Sequence, residues 1–175
     1  VQNYFFSIVD NPTVSGWLDD DDGNPGTCGS DIICLEKLTQ ASTAGLDTGA
    51  RKSTKGWRLP LATGEQVVTG AITVADVTNF STHIPARRDD VCKANLGTAT
   101  SYSLDYRKAK GDEINIVGGG LVPTPVAGMV ILDNGKKVPF CIGCGGEDSA
   151  IGAKLVGSGI KWKQPKSRVY WKIQQ

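Results

Sequence analysis

Hydrophobic and polar positions alternate along most of this chain with the period of a strand, and turn-forming residues interrupt them at short intervals. Residues 3–9, Asn-Tyr-Phe-Phe-Ser-Ile-Val, crowd aromatic and β-branched side chains ahead of Asp10, Asn11 and Pro12, which predicts a strand stopped by a turn. Residues 31–37 fit either a short strand or a single helical turn, and residues 42–54 return to small polar side chains that read as loop. From residue 55 the alternation sharpens. Gly56, Trp57, Arg58, Leu59, Pro60 and Leu61 predict a strand; Gly64 and Glu65 then turn the chain into a second over residues 66–74. A third, over 77–84, ends at Pro85 and the charged run Arg87, Arg88, Asp89 and Asp90. Residues 98–106 alternate Ala, Tyr and Leu against Ser, Thr and Asp, and Lys110, Gly111 and Asp112 turn the chain again. Strands over 113–117, 125–132, 137–142 and 168–173 continue the series, with a hairpin signal at Asp133, Asn134 and Gly135. The expectation is an all-β chain of antiparallel strands with long loops, open at this level to a sandwich, a barrel or propeller blades. No clean repeat of WD or kelch type chooses among them.

Composition strengthens that reading. The 22 glycines and 8 prolines among 175 residues punctuate the chain as a loop-rich β protein. A net charge of +1 supplies no global field toward nucleic acid or an anionic membrane. Lys161, Trp162, Lys163, Gln164, Pro165 and Lys166 form one short basic cluster, read as a lysine-protected edge and not as a nucleic-acid site. No apolar run approaches the roughly 20 residues that span a bilayer, so no membrane span is expected. The start of the chain, without a basic region, reads as the middle of a strand and not as a signal peptide. A single domain over residues 1–175, begun inside a larger protein, is the expected organisation.

Five cysteines in this setting point to an oxidising compartment. Disulfides are favoured over zinc, because the spacing of Cys28 and Cys34 is wide and His83, the lone histidine, is far from both cysteine pairs in sequence. Cys141 and Cys144 lack the following histidine that covalent haem attachment requires. The simplest pairing joins Cys28 to Cys34 and two of Cys92, Cys141 and Cys144 to each other.

The segment from Gly56 through Trp57, Leu59, Leu61, Gly64, Glu65, Val67, Val68 and Thr69 resembles a stretch near the end of the propeller in the PilY family of type IV pilus proteins. The likeness continues through Asn79, Phe80, Ser81, Thr82, His83, Ile84 and Pro85, then Cys92, Gly97 and residues 102–106. Tyr4, Phe5, Phe6, Ser7, Ile8, Val9, Asp10 and Asn11 are similar to a strand that precedes these elements, and residues 167–172 to the family's terminal segment. The likeness is most specific over residues 56–106. It implies the carboxy-terminal part of a modified β-propeller, extracellular or on the outer cell surface. It also implies a pilus-tip assembly and adhesion platform that docks minor pilins and supports pilus extension without catalysis. The chain is much shorter than the family's propeller and lacks its variable adhesive module. A separate chain carrying the remaining blades is therefore an expected partner. The alternative is part of a quinoprotein-type propeller enzyme completed by another chain.

The remaining chemistry is sparse. His83 has no nucleophile motif to serve and reads as a half-buried strand histidine. Glu65 and Asp105 read as carboxylates that satisfy backbone donors, not as a glycosidase pair. Asp19, Asp20, Asp21 and Asp22 before Gly23 lack the alternating ligand spacing of an EF-hand and read as a solvated acidic loop, with calcium the alternative. Gly118, Gly119 and Gly120 precede Pro123 and Pro125 and read as a loop, not a dinucleotide site. Trp57, Trp162, Tyr170 and Trp171 are expected in packing more than in ligand contact. No catalytic residue, metal ligand or cofactor is assigned.

Overall fold

The structure, a computed structural model, describes residues 1–9, 33–47, 55–86, 96–116 and 118–144, and the backbone of 153–155. In chain order the strands are β1 (Tyr4–Ile8), β2 (Thr39–Ser42), β3 (Gly45–Leu46), β4 (Gly56–Pro60), β5 (Gln66–Val67) and β6 (Ile72–Val74). They continue as β7 (Val77–Ile84), β8 (Thr98–Asp105), β9 (Gly111–Ile116), β10 (Val126–Ile131), β11 (Lys137–Ile142) and β12 (Ala153–Leu155). A single 3-10 turn at Leu35–Lys37 resolves the strand-or-turn alternative there. Apart from that turn, the regular structure of the described residues is all strand, as the alternation predicts.

Among the described residues three open sheets form. The first has the order β1-β4-β2-β3, the second β5-β7-β8-β9 with β6 also on β7, and the third β10-β11-β12. All ladders are antiparallel except β2 on β4, which runs parallel through Thr39↔Trp57 and Gln40↔Arg58. The sequence-based expectation of loop over residues 42–54 is corrected at its start, where Gly45 and Leu46 pair back on Ala41 and Ser42. Small side chains mask this hairpin: Thr39 and Ala41 are buried, yet they carry little of the hydrophobic contrast that marks a strand.

The expected continuous strand over 66–74 is also interrupted. Thr69 Oγ1 accepts the Ser81 N–H at 2.8 Å, a position a backbone carbonyl would otherwise fill. The pairing then shifts from Val67↔Thr82 to Ile72↔Asn79, so β7 faces two short strands. The hairpin signal at residues 133–135 is realised. Leu132 N donates to Lys136 O at 2.9 Å, Gly135 takes φ 74°, and Asn134 Oδ1 accepts the Lys136 N–H at 3.0 Å.

Side-chain parity on β7 and β8 places the second sheet between the other two. Phe80, Tyr102 and Leu104 point to the first sheet and form a core with Ala41, Trp57, Leu59 and Leu61. Phe5 stacks on Phe80 with centroids 3.8 Å apart, and Phe80 on Tyr102 at 4.9 Å. The opposite parity carries Asn79, Ser81, Ser101 and Ser103 toward the third sheet, where Ser103 Oγ donates to Cys144 O at 3.3 Å. Cys141 and Cys144 pack there against Ile72, Val74, Ala75 and Val77. The layers therefore stack in the order in which the chain makes them.

Two strand prolines respect this scheme. The Asn3–Leu61 and Val9–Lys55 bonds fix which residues of the β1–β4 ladder face each other, and Pro60 falls where no N–H toward β1 is needed. Pro139 likewise owes no bond to β10, and the β11–β12 ladder ends at Phe140, beside it.

Candidate interaction surfaces

The residues with the best credentials for chemistry are tied into the scaffold. His83 on β7 is half-buried, as expected, and its Nε2 lies 2.7 Å from the Leu96 carbonyl. A carbonyl only accepts, so Nε2 carries the proton and the ring anchors the segment leading into β8. Asp105, at the end of β8, accepts the Arg107 and Lys108 N–H groups at Oδ1 over 2.8 and 2.9 Å. That is the turn-closing role its position predicts. Trp57 is buried in the core, and its indole N–H donates to Tyr106 O at 2.7 Å. Gly118, Gly119 and Gly120 lie in the loop between β9 and β10, as expected.

Glu65 is buried in the turn before β5 and has three donors. Oε2 accepts the Ala62 N–H at 2.6 Å, while Oε1 accepts the Tyr102 hydroxyl at 3.0 Å and the Thr82 hydroxyl. Its own carbonyl accepts from Asn3 Nδ2 at 2.7 Å. One side chain thus joins a turn, β7 and β8, and through its backbone the start of β1. Burial first, and the Glu65 charge second, push the Tyr102 hydroxyl well above its ordinary pKa of 10.0, because both disfavour a phenolate. The sequence marks Glu65 as a backbone-satisfying turn residue. The hydroxyl partners were not legible, since they lie 17 and 37 residues away.

Cys141 and Cys144 form a disulfide with Cα atoms 5.7 Å apart, and both are buried beneath the third sheet. Cys34 is also disulfide-bonded. Cys28 and Cys92 lie outside the described residues, as do Asp19, Asp20, Asp21, Asp22, Trp162, Tyr170, Trp171 and the basic cluster from Lys161 to Lys166. Closing so short a loop contributes about 2 kcal/mol by loop entropy. Because both sulfurs are buried, the native protein is expected to resist alkylation at Cys141 and Cys144 after mild reductant, and to label quickly in the same reductant with urea. Intact mass after iodoacetamide treatment measures this; rapid labelling without urea contradicts it. Among the described residues no group of three or more His, Cys, Asp or Glu side chains is placed to hold a metal ion. No helix among them is long and apolar enough to cross a membrane.

What remains is surface. The outer face of the first sheet carries Tyr4, Phe6 and Ile8 from β1, with Arg58 from β4 opposite Phe6. Phe6 and Ile8 are each 45 % exposed. The outer face of the third sheet carries Val126, Val130, Phe140 and Ile142, with the Phe140 ring lying over Gly128. Val126 and Ile142 are exposed there, while Val138 on the same face is buried. Each end of the three-layer stack thus carries exposed apolar side chains, those of the first sheet confined to β1, since Gln40 and Ser42 of β2 are the exposed residues beyond Arg58 on the same face. The signal for this was in the sequence: in residues 4–8 Tyr4, Phe6 and Ile8 make one parity apolar while Phe5 puts a large apolar side chain on the other beside Ser7, which marks a strand with apolar contacts on two sides.

An open groove of about 460 Å³ runs beside β1, lined by Gln2, Tyr4, Phe6, Leu61, Gln66 and Val67. It lies between β1 and β5, the edge strands of their sheets among the described residues. Compared with known protein families, with curated proteins and with solved structures, the chain matches none.

Proposed function

We propose that this chain is a non-enzymatic extracellular component of a type IV pilus: the carboxy-terminal part of a PilY-type β-propeller, acting as a tip-associated platform that docks minor pilins and supports pilus extension. The observation that carries the reading is the serial stack of three open sheets among the described residues, with exposed apolar side chains at each end. Propeller blades bury their faces on the blades before and after them, so a run of blades leaves just such a pair of uncovered faces. The motif likeness over residues 56–106 falls on β4 through β8 and supports the same reading, because those strands build the contact between the first two layers. Further blades, on this polypeptide or a separate chain, then cover both ends. Minor pilins bind the assembled platform.

The test is capture. An epitope-tagged chain, produced in the bacterium that encodes it, is expected in the sheared-pilus fraction and to be crosslinked to minor pilins identified by mass spectrometry. Deleting it is expected to reduce surface pili severalfold. Recovery of the chain in the cytosol with its cysteines reduced overturns the proposal.

A further inference from the structure

We infer that the edge of β1 left unpaired among the described residues is an acceptor site for an extended peptide segment that carries alternating apolar side chains and one carboxylate, the carboxylate pairing with Arg58. Three features of one strand converge. First, because Asn3 and Val9 spend their backbone groups on β4, the alternation of an antiparallel ladder turns the N–H and C=O groups of Tyr4, Phe6 and Ile8 to the opposite, unpaired edge. Second, the side chains of those same residues form the exposed apolar face, so a strand added at that edge gains main-chain bonds and side-chain contacts together. Third, the groove beside this edge, about 460 Å³, falls within the range of sites for small ligands and short peptides. Val67 closes it on the far side, its backbone turned away from β7 by the Val68–Ser81 bond.

Charge identifies the occupant. The Arg58 guanidinium lies over the Tyr4 ring, 5.7 Å from its centroid. Its Nε is buried without a hydrogen-bond partner. Among the described residues no carboxylate pairs with it. A lone cation on an apolar face lacks the acceptor that a covering segment supplies. Directly opposed residues on neighbouring strands have Cβ atoms about 5 Å apart, so a glutamate facing Tyr4 on an added strand reaches the guanidinium. An uncharged apolar strand satisfies the edge and leaves Arg58 unpaired; an anion without a strand does the reverse.

The site is independent of the pilus reading, since a segment from any source chain with this pattern fits it, and the test uses no pilin. The probe is a short fluorescein-labelled peptide in which valine, glutamate and valine occupy alternate positions separated by threonines, titrated against the full chain by fluorescence anisotropy. Saturable binding is expected. Replacing the peptide's glutamate by glutamine, or the protein's residue by Arg58→Gln, is expected to weaken binding about tenfold, and the two changes together no more than either alone. N-methylation of the alternate amides that face β1 is expected to abolish binding, while methylation of the other set leaves it intact. These peptide arms leave the protein untouched, so its folding does not confound them. No binding, binding indifferent to the glutamate, or equal loss with either set of methylated amides overturns the inference. So does self-association of the chain with no peptide uptake.

Discussion

Replacing Gly56 by alanine is expected to lower stability by about 4 kcal/mol or more, a large share of the roughly 5–15 kcal/mol that holds an ordinary domain folded. Gly56 opens β4 at φ 128°, and a Cβ placed there would lie 2.0 Å from the Ser7 carbonyl oxygen of β1. Backbone cannot yield as a flexible side chain can, so β1 must separate from β4. That movement withdraws Phe5 from Phe80 and disturbs Trp57, the next residue, in the core. Gly64→Ala is the control. Gly64 also has positive φ, 81°, but a Cβ there meets nothing within 4 Å. It is expected to cost about 1–2 kcal/mol from the left-handed backbone alone. Urea unfolding midpoints of the two variants decide: equal midpoints contradict the clash, and a much lower one for Gly56→Ala supports it.

Glu65→Ala is the second large effect. The substitution strands the Tyr102 hydroxyl in the interior, leaves the Thr82 hydroxyl only its long bond to Thr100 O at 3.4 Å, and releases the N–H of exposed Ala62 to water. At about 1–3 kcal/mol for a buried unsatisfied donor, with a smaller cost for the weakened Thr82 bond, a loss of about 2–4 kcal/mol is expected. Tyr102→Phe removes one donor and leaves Glu65 with two, so it is expected to cost only about 1 kcal/mol.

The pair also makes a pH prediction. The hydroxyl pKa is raised in the folded state, so above the ordinary tyrosine value the unfolded chain loses a proton that the native one retains. Stability from this group is complete below about pH 10 and falls as pH rises beyond it, and Tyr102→Phe is expected to flatten that alkaline limb. Denaturation midpoints between pH 8 and about pH 11 measure it. An alkaline limb unchanged in Tyr102→Phe would falsify the assignment.

The strands that the sequence made legible are those whose faces differ in polarity. β7 and β8 alternate Thr, Phe, Tyr and Leu against Asn and Ser, and the structure places them as the central hairpin. The hairpin at Gly135 was legible because its turn needs a residue with positive φ. β2 and β3 were not, since Thr39, Gln40, Ala41 and Ser42 form a strand only because β4 offers them an edge and Trp57 a surface. The break between β5 and β6 was hidden for a similar reason: Thr69 looks like any strand threonine until Ser81, on a neighbouring strand, is there to donate to it. For the candidate surface, the apolar character of residues 4–8 was plain. Arg58 as its isolated cation was not, because a lone arginine in a strand looks solvated until its neighbours in space are known.

The two faces of the central sheet also divide the molecule mechanically. One is joined to the first sheet by a column of stacked rings, Phe5, Phe80 and Tyr102, and by the bonds of Glu65. The other meets the third sheet through serines and a smaller apolar cluster, Cys141 and Cys144 against Ile72, Val74, Ala75 and Val77, and two of the serine hydroxyls, Ser81 Oγ and Ser101 Oγ, are buried with no partner. Aromatic burial resists separation, whereas an unpaired hydroxyl regains its hydrogen bonds when water enters. The molecule therefore has a grain, like split timber: under load it is expected to part first along the seam between the second and third sheets, releasing the third sheet with its disulfide intact while the first two remain joined.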